Sequence, residues 1–194
     1  MKCYKCYEGG MAMQQIDKIT QESASAEQDD FITLRRATPA DFNAVREVAT
    51  LSRLSSFKHF MTEEEVEDEV TQYYSDNVLN GILSNPANVI FLAERGGKLL
   101  GYCSVLPKDR RGRPRLLQFY VRPETQRQGV GELLFERACS FLREAGIKEM
   151  YISTIGENTI GRRFYEKKGA QFIQEYDSIW DGKTHTIIVY KVFL

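Results

Sequence analysis

No run of eighteen apolar residues occurs in this 194-residue chain, so nothing in it reads as a transmembrane helix. The opening stretch, MKCYKCYEGGMAMQQ, lacks the apolar centre of a secretory signal, and a cytoplasmic location is the expectation that follows. Net charge is almost absent: 26 Lys plus Arg against 27 Asp plus Glu leave −1. A chain that grips nucleic acid is usually basic across its whole domain, so neither a nucleic-acid nor a membrane partner is expected. Cysteine is sparse, at positions 3, 6, 103 and 139. Cys3 and Cys6 form a CxxC, but no second CxxC and no HxxxH completes a four-ligand zinc site. A redox CxxC would stand at a strand–helix junction, and this one stands at the beginning of the sequence. Free thiols and no metal are the expectation; a zinc or redox role for Cys3 and Cys6 is the reading that zinc stoichiometry would decide.

What is present is ordinary for a folded domain: 42% hydrophobic and 27% charged residues. The length suits one domain whose core needs no staple. Residues 1–30, polar and ending in ESASAEQDD, read as a flexible tail, with Met11 or Met13 as alternative starts. Residues 31–194 read as one domain.

Along that domain, FITLRRA alternates Phe31, Thr33 and Arg35 against Ile32, Leu34 and Arg36, a first strand. Thr38 is placed to cap a helix that Pro39 and Asp41 help to start. Its buried stripe would be Phe42, Val45, Val48, Ala49 and Leu51. Residues 61–85 read as a second helical region capped by Thr62 with Glu65 three residues on. The acidic run from Glu63 to Glu69 is a solvated face, or alternatively one that meets a cationic substrate. Strands 88–94 and 98–106 form a hairpin around Gly96-Gly97. The basic loop KDRRGRPR is either simply wet or a neighbour of phosphate, too short to hold RNA. A buried strand 116–121 follows it. Next comes a helix with Val130, Leu133, Leu134, Ala138, Phe141, Leu142 and Ala145 inward and Gly146 as its stop. A strand 149–155, a short helix closed by Gly169 and a last hairpin around Asp181-Gly182 complete the order. Strand, two helices, three strands, helix, strand, helix, two strands: tight hairpins combined with a βαβ crossover exclude a purely parallel sheet.

Between the strand 116–121 and the next helix, VRPETQRQGVGELL places two glycines two apart. A helix begins with N–H groups that have no intrahelical acceptor, and its dipole adds positive charge there. A side-chain-poor turn at that point is an anion cradle, with amides from Arg127 to Glu132 as donors and Arg127 at the rim. Gly129 and Gly131 would let the backbone approach a phosphate, since a Cβ would collide or restrict φ. The pattern is neither GxGxxG, because position 134 is leucine, nor GxxxxGK[ST].

QRQGVG, preceded by VRP, resembles the [Q/R]-x-x-G-x-[G/A] motif of the GCN5-related N-acetyltransferases, the GNAT superfamily. NTIGRRFYEKKG resembles that family's second motif, N-x-x-A-x-x-F-Y-x-x-x-G-F, and the likeness extends over residues 31–194. It implies an α/β fold with a mixed, largely antiparallel sheet of about six to seven strands and about four helices. It also implies acetyl transfer from acetyl-CoA, a cosubstrate, to a primary amine, with no metal. By position, the pyrophosphate would lie on Arg127, Gln128, Gly129, Val130, Gly131 and Glu132. The backbone of Tyr120 and Val121 would pair with the pantetheine arm inserted between strands 116–121 and 149–155. Asn158 would bond the cofactor arm or cap its helix, and Tyr165 would be the general acid for the leaving thiolate. Gly161 and Ala170 depart from the usual alanine and phenylalanine, with Phe172 expected to fill the space Ala170 leaves. No carboxylate stands in 116–121, where many relatives place a base; Gln118 and Tyr120 share a face there, and the base is unassigned. That gap motivates an alternative, a CoA-binding regulatory domain without catalysis. A small cationic amine is the expected acceptor, a protein amine the alternative, and a homodimer is left open.

Overall fold

The computed structural model describes residues 31–194 apart from Phe60, Pro86 and Asp181. The expectations for residues 1–30, including the Cys3–Cys6 pair, lie outside the described residues, as does Asp181 of the last turn.

β1 (Thr33–Arg36) leads into a 3-10 turn (Pro39–Asp41) and then α1 (Phe42–Phe57). Thr38 caps that turn, and not α1 itself: its N–H donates to the Asp41 carboxylate at 2.7 Å. The expected second helix is two, α2 (Glu63–Tyr73) and α3 (Asp76–Ser84). Tyr74 leaves helical geometry at φ −126°, and Ser75, extended, starts the next helix with Asp76 in its first turn. The Thr62–Glu65 capping box is formed, with Glu65 N–H donating to Thr62 Oγ1 at 3.2 Å.

β2 (Val89–Arg95) and β3 (Lys98–Leu106) turn through Gly96 and Gly97, both at positive φ, as a two-residue hairpin requires. β4 (Arg115–Val121), α4 (Val130–Glu144), β5 (Glu149–Ile155) and α5 (Thr159–Lys167) form the crossover region. β6 (Gln171–Trp180) and β7 (Lys183–Phe193) close the chain. The sheet runs β1-β2-β3-β4-β5-β7-β6, and every pairing is antiparallel except β4 with β5. Seven strands and five helices among the described residues make this the mixed α/β sheet that the element order implies.

Each face of the sheet has its own core. α4 covers one, where Phe91, Leu116, Leu134, Leu142 and Ile152 meet. α1, α2 and α3 cover the other, around Val45, Val66, Leu79, Leu92 and Tyr102. In α4, Phe135 and Cys139 turn inward while Leu133 is exposed, because residue 133 falls outside the arc that 130, 134, 138 and 142 define at 3.6 residues per turn. Ala145, already at the helix end, is exposed too. In α1, Ser52 takes the buried place expected of Leu51. Cys103 and Cys139 are buried free thiols. Phe172 is 58% exposed and does not fill the place beside Ala170, which packs against the α4 core itself.

Candidate active site

The site begins where two neighbouring strands part. β4 stays paired with β3 as far as Gly101↔Val121, but its parallel pairing with β5 ends at Leu116↔Ile152. Leu117 is the extra residue of a bulge: Val105 pairs with Leu116 and Ser104 with Gln118. A bulge bends its strand, and here β4 leaves β5, which continues on β7 to Ile155↔Ile187. A cleft of about 530 Å³ opens in the gap.

The ladder decides which main-chain groups face that gap. Arg122 N–H donates to the Leu100 carbonyl at 2.8 Å, and antiparallel ladders alternate. Tyr120 therefore turns its peptide groups to β3, and Phe119 and Val121 turn theirs to the cleft. What Tyr120 contributes is its side chain. The Val121 carbonyl is held by Ser52 Oγ, which donates to it at 2.7 Å. On the β3 side the approach is so close that a Cβ on Gly101 would stand 2.7 Å from the Tyr120 carbonyl oxygen.

Past Val121 the chain reaches α4 through two left-handed residues, Arg127 at φ 63° and Gly129 at φ 85°. Among the described residues, Arg127 is the one non-glycine at positive φ, a conformation that costs on the order of 1–3 kcal/mol and collects at functional sites. Leu133 N–H bonds the Gly129 carbonyl, so the amides of Val130, Gly131 and Glu132 precede the first intrahelical acceptor. Gly129 and Gly131 serve differently. A Cβ on Gly129 would meet nothing within 4 Å, and its φ is what excludes other residues; a Cβ on Gly131 would occupy the space above the Phe119 and Phe164 rings. Arg127, Gly129, Gly131 and Glu132 line the cleft. Gln128 and Val130 offer only main chain: the Gln128 side chain bonds the Glu124 carbonyl and Arg95, and Val130 is in the core. Lys168 donates to the Glu132 carboxylate at 3.2 Å and holds its pKa down. The basic loop lies elsewhere. Folded on Asp109, it ends at Arg115, where β4 begins, so the length of β4, roughly 20 Å, separates it from the turn before α4.

α5 forms the opposite wall. Asn158 is its N-cap, accepting the Gly161 N–H at 3.0 Å and donating to Thr154 Oγ1 at 3.1 Å, which leaves one amide hydrogen uncommitted. The glycine at 161 now has a reason: a Cβ there would lie 2.6 Å from Asn158 Nδ2 and push the cap aside. The buried Tyr165 ring sits among Phe119, Phe164 and Tyr190, at 6.1, 5.7 and 6.4 Å between centroids. Burial, with Tyr120 and Cys103 adding to it, raises the Tyr165 hydroxyl well above its ordinary value, so it holds its proton at neutral pH.

The third wall is one that sequence reasoning missed. Ser52, Ser56 and Phe57, from the last turns of α1, line the cleft across from α5. Small hydroxyls at i and i+4 among apolar residues are the signal that could have found it. From the same helix, Arg53 donates to the Tyr120 hydroxyl at 3.0 Å.

The model of the acetyltransferase (GNAT) family matches residues 50–170, which span all three walls. The chain belongs to the GNAT acetyltransferase family. This GNAT chain is 28% identical to spermidine N(1)-acetyltransferase of Thermoplasma acidophilum over 142 residues, 71% of this chain and 87% of that one. It is 25% identical to a Bacillus subtilis protein named "Putative [ribosomal protein bS18]-alanine N-acetyltransferase" over 120 residues, 61% of this chain and 77% of the other. Its fold matches the crystal structure of the PaiA N-acetyltransferase from T. acidophilum in complex with coenzyme A: TM-score 0.71, 23% identity, 84% of this chain and 99% of that one. The GNAT chain is an acetyl-CoA-dependent N-acetyltransferase. β6 and β7 lie beyond the matched stretch, and Asn158, Gly161 and Tyr165 lie within it.

Proposed function

We propose that this acetyltransferase modifies a primary amine of a small cationic molecule, by direct attack of the amine on acetyl-CoA. The observation that carries the reading is the cleft's continuity: one opening runs from the amide cradle, past the exposed main chain of β4, to the Tyr165 side of α5. The diphosphate would rest on the amides of residues 127–132, with Arg127 beside it. The pantetheine arm would extend the sheet on the Phe119 carbonyl and the Val121 N–H, which face the cleft.

In the reaction the amine first loses one proton, since only its lone pair can attack. The pair forms the C–N bond while the carbonyl π pair moves to oxygen, where a strand N–H facing the cleft, that of Phe119, can stabilise the charge. Collapse restores the carbonyl, breaks the C–S bond and leaves the pair on sulfur. Tyr165 gives sulfur its proton and is reprotonated from the nitrogen, which loses its second proton in forming the amide. One proton reaches solvent overall. Among the described residues lining the cleft Glu132 is the one carboxylate, and it is bound to Lys168 at the cradle end. The first proton therefore leaves through water.

Two features support a cationic acceptor. α2, which begins just after Phe57, exposes Glu63, Glu64, Glu67 and Asp68, a field that draws cations toward this side of the molecule. The T. acidophilum relative acts on spermidine. Thiol release from acetyl-CoA, measured with polyamines, monoamines, amino acids and a peptide with a free N-terminal alanine, tests the reading. Polyamines should give the highest kcat/KM, with a rate that falls as salt is raised. Turnover of the peptide alone would replace the small molecule with a protein amine.

A further inference from the structure

Behind the α1 wall lies a buried charge pair that the acetyl-transfer scheme has not used. Glu69 of α2 is 6% exposed and ion-paired with Arg53 of α1, whose side chain is 14% exposed. Two charges are seldom buried for stability alone, since a well-packed apolar pair of the same size usually does as well. Arg53 spends its other terminal nitrogen on the Tyr120 hydroxyl, at 3.0 Å. Its guanidinium carbon also lies 4.9 Å from the Phe57 ring centre, and Phe57 and Tyr120 both line the cleft.

A phenol oxygen that accepts from a cation has its hydrogen turned away from that cation. With Arg53 directed at its oxygen, the Tyr120 hydroxyl has its hydrogen left to offer, and Tyr120 lines the cleft. Tyr165 lines the same cleft, from α5.

We propose that Tyr120 is a second catalytic hydroxyl, held by the Arg53–Glu69 pair as a hydrogen-bond donor to the acetyl oxygen of the thioester. Resting on the acetyl-transfer scheme above, this assigns the two tyrosines separate tasks. Tyr165 transfers a proton to sulfur; Tyr120 keeps its proton and bonds the oxygen more strongly as that oxygen takes up the π pair. Arg53 acts through Tyr120 and is a positioning residue. A cation donating into the phenol makes it a stronger donor, and a donor fixed before the reaction need not reorganise during it.

The test uses the full-length protein and an amine that the wild type turns over. Tyr120→Phe should lower kcat by roughly a hundredfold, the loss typical for one oxyanion donor, with the Kd of CoA within about twofold. Arg53→Met alone leaves Glu69 buried without a partner and risks unfolding, so the matched variant is Arg53→Met with Glu69→Leu, which removes both charges. It should melt near the wild-type temperature, bind CoA normally and lose kcat as Tyr120→Phe does. All three changes together should be no slower than either, because they remove one device. A full rate in Tyr120→Phe overturns the proposal, and so do losses that multiply in the combined variant. Failure of the acetyl-transfer scheme would read differently, as an unchanged rate in Tyr165→Phe.

Discussion

The two ends of the cleft are made of different material. The proposed cofactor end is backbone: peptide groups just past a β-bulge, two left-handed residues and the amides that open α4. The proposed acceptor end is side chain: two serines and a phenylalanine from α1 and a tyrosine from β4, with an ion pair between α1 and α2 behind them. Backbone can recognise a diphosphate and a pantetheine amide because every CoA carries the same groups. An acceptor differs from enzyme to enzyme, and only side chains can be exchanged without rebuilding the sheet. On this proposal a short motif conveys cofactor use, whereas acceptor choice is spread over helices far apart in sequence.

The sharpest way to break this division is to remove a side chain at the join. Tyr165→Phe should cost kcat about a hundredfold or more, the low end of general acid catalysis, while CoA affinity stays near the wild-type value. Stopped-flow thiol release and calorimetry separate the two quantities. A fall in CoA affinity that matched the fall in rate would move Tyr165 from the chemistry into cofactor binding.

A smaller effect is expected from the backbone end. Gly129→Val places a β-branched residue at φ 85°, where the strain is on the order of 1–3 kcal/mol, and the turn must relax to relieve it. CoA affinity should fall by about thirtyfold, with kcat at saturating cofactor nearly retained. Unchanged affinity by calorimetry would show that the amides at this turn do not hold the diphosphate. An equal effect on acceptor KM would show that the two ends are not separate.

The unequal visibility of the two ends in the sequence has the same origin. Gly129 and Gly131 sit in a turn where local geometry restricts residue choice, so their spacing can be read directly; Asn158 and Tyr165 are marked only by a family resemblance. Strand limits at 98–106 and 149–155 coincide with the observed ones because turn glycines punctuate them. The break in the acidic helical region could not be read, since it depends on Tyr74 turning into the core and on no helix breaker. Nor could Arg53, which is unremarkable on a helix until the fold brings Tyr120, 67 residues on, to its guanidinium. That Tyr120 faces its peptide groups to β3 follows from ladder parity, and a sequence does not fix parity across a bulge.

The least effect is expected far from both ends, at the clamp that fastens β1 to the turn preceding α1. Arg35 donates to Asp41 at 2.8 and 2.6 Å and to Glu94 at 2.8 and 2.6 Å, and this pairing holds the Asp41 carboxyl at about 2, below its ordinary value near 3.8. A carboxylate with a lowered folded-state pKa contributes stability that is complete above the unfolded value and disappears as pH falls through the folded one. The window is therefore roughly pH 4 down to pH 2. Arg35 is substantially exposed, so solvent screening limits the contribution to about 1 kcal/mol. Asp41→Asn should lower the melting temperature by a few degrees at pH 7, with the gap narrowing steadily below pH 4 as the wild type loses the same charge. Activity at 25 °C should be unaffected, because the clamp supports the start of α1 and the cleft uses its end. A gap that stayed constant from pH 6 to the acid limit would assign the stability to the Thr38 cap, which asparagine can partly replace, and not to the ion pair.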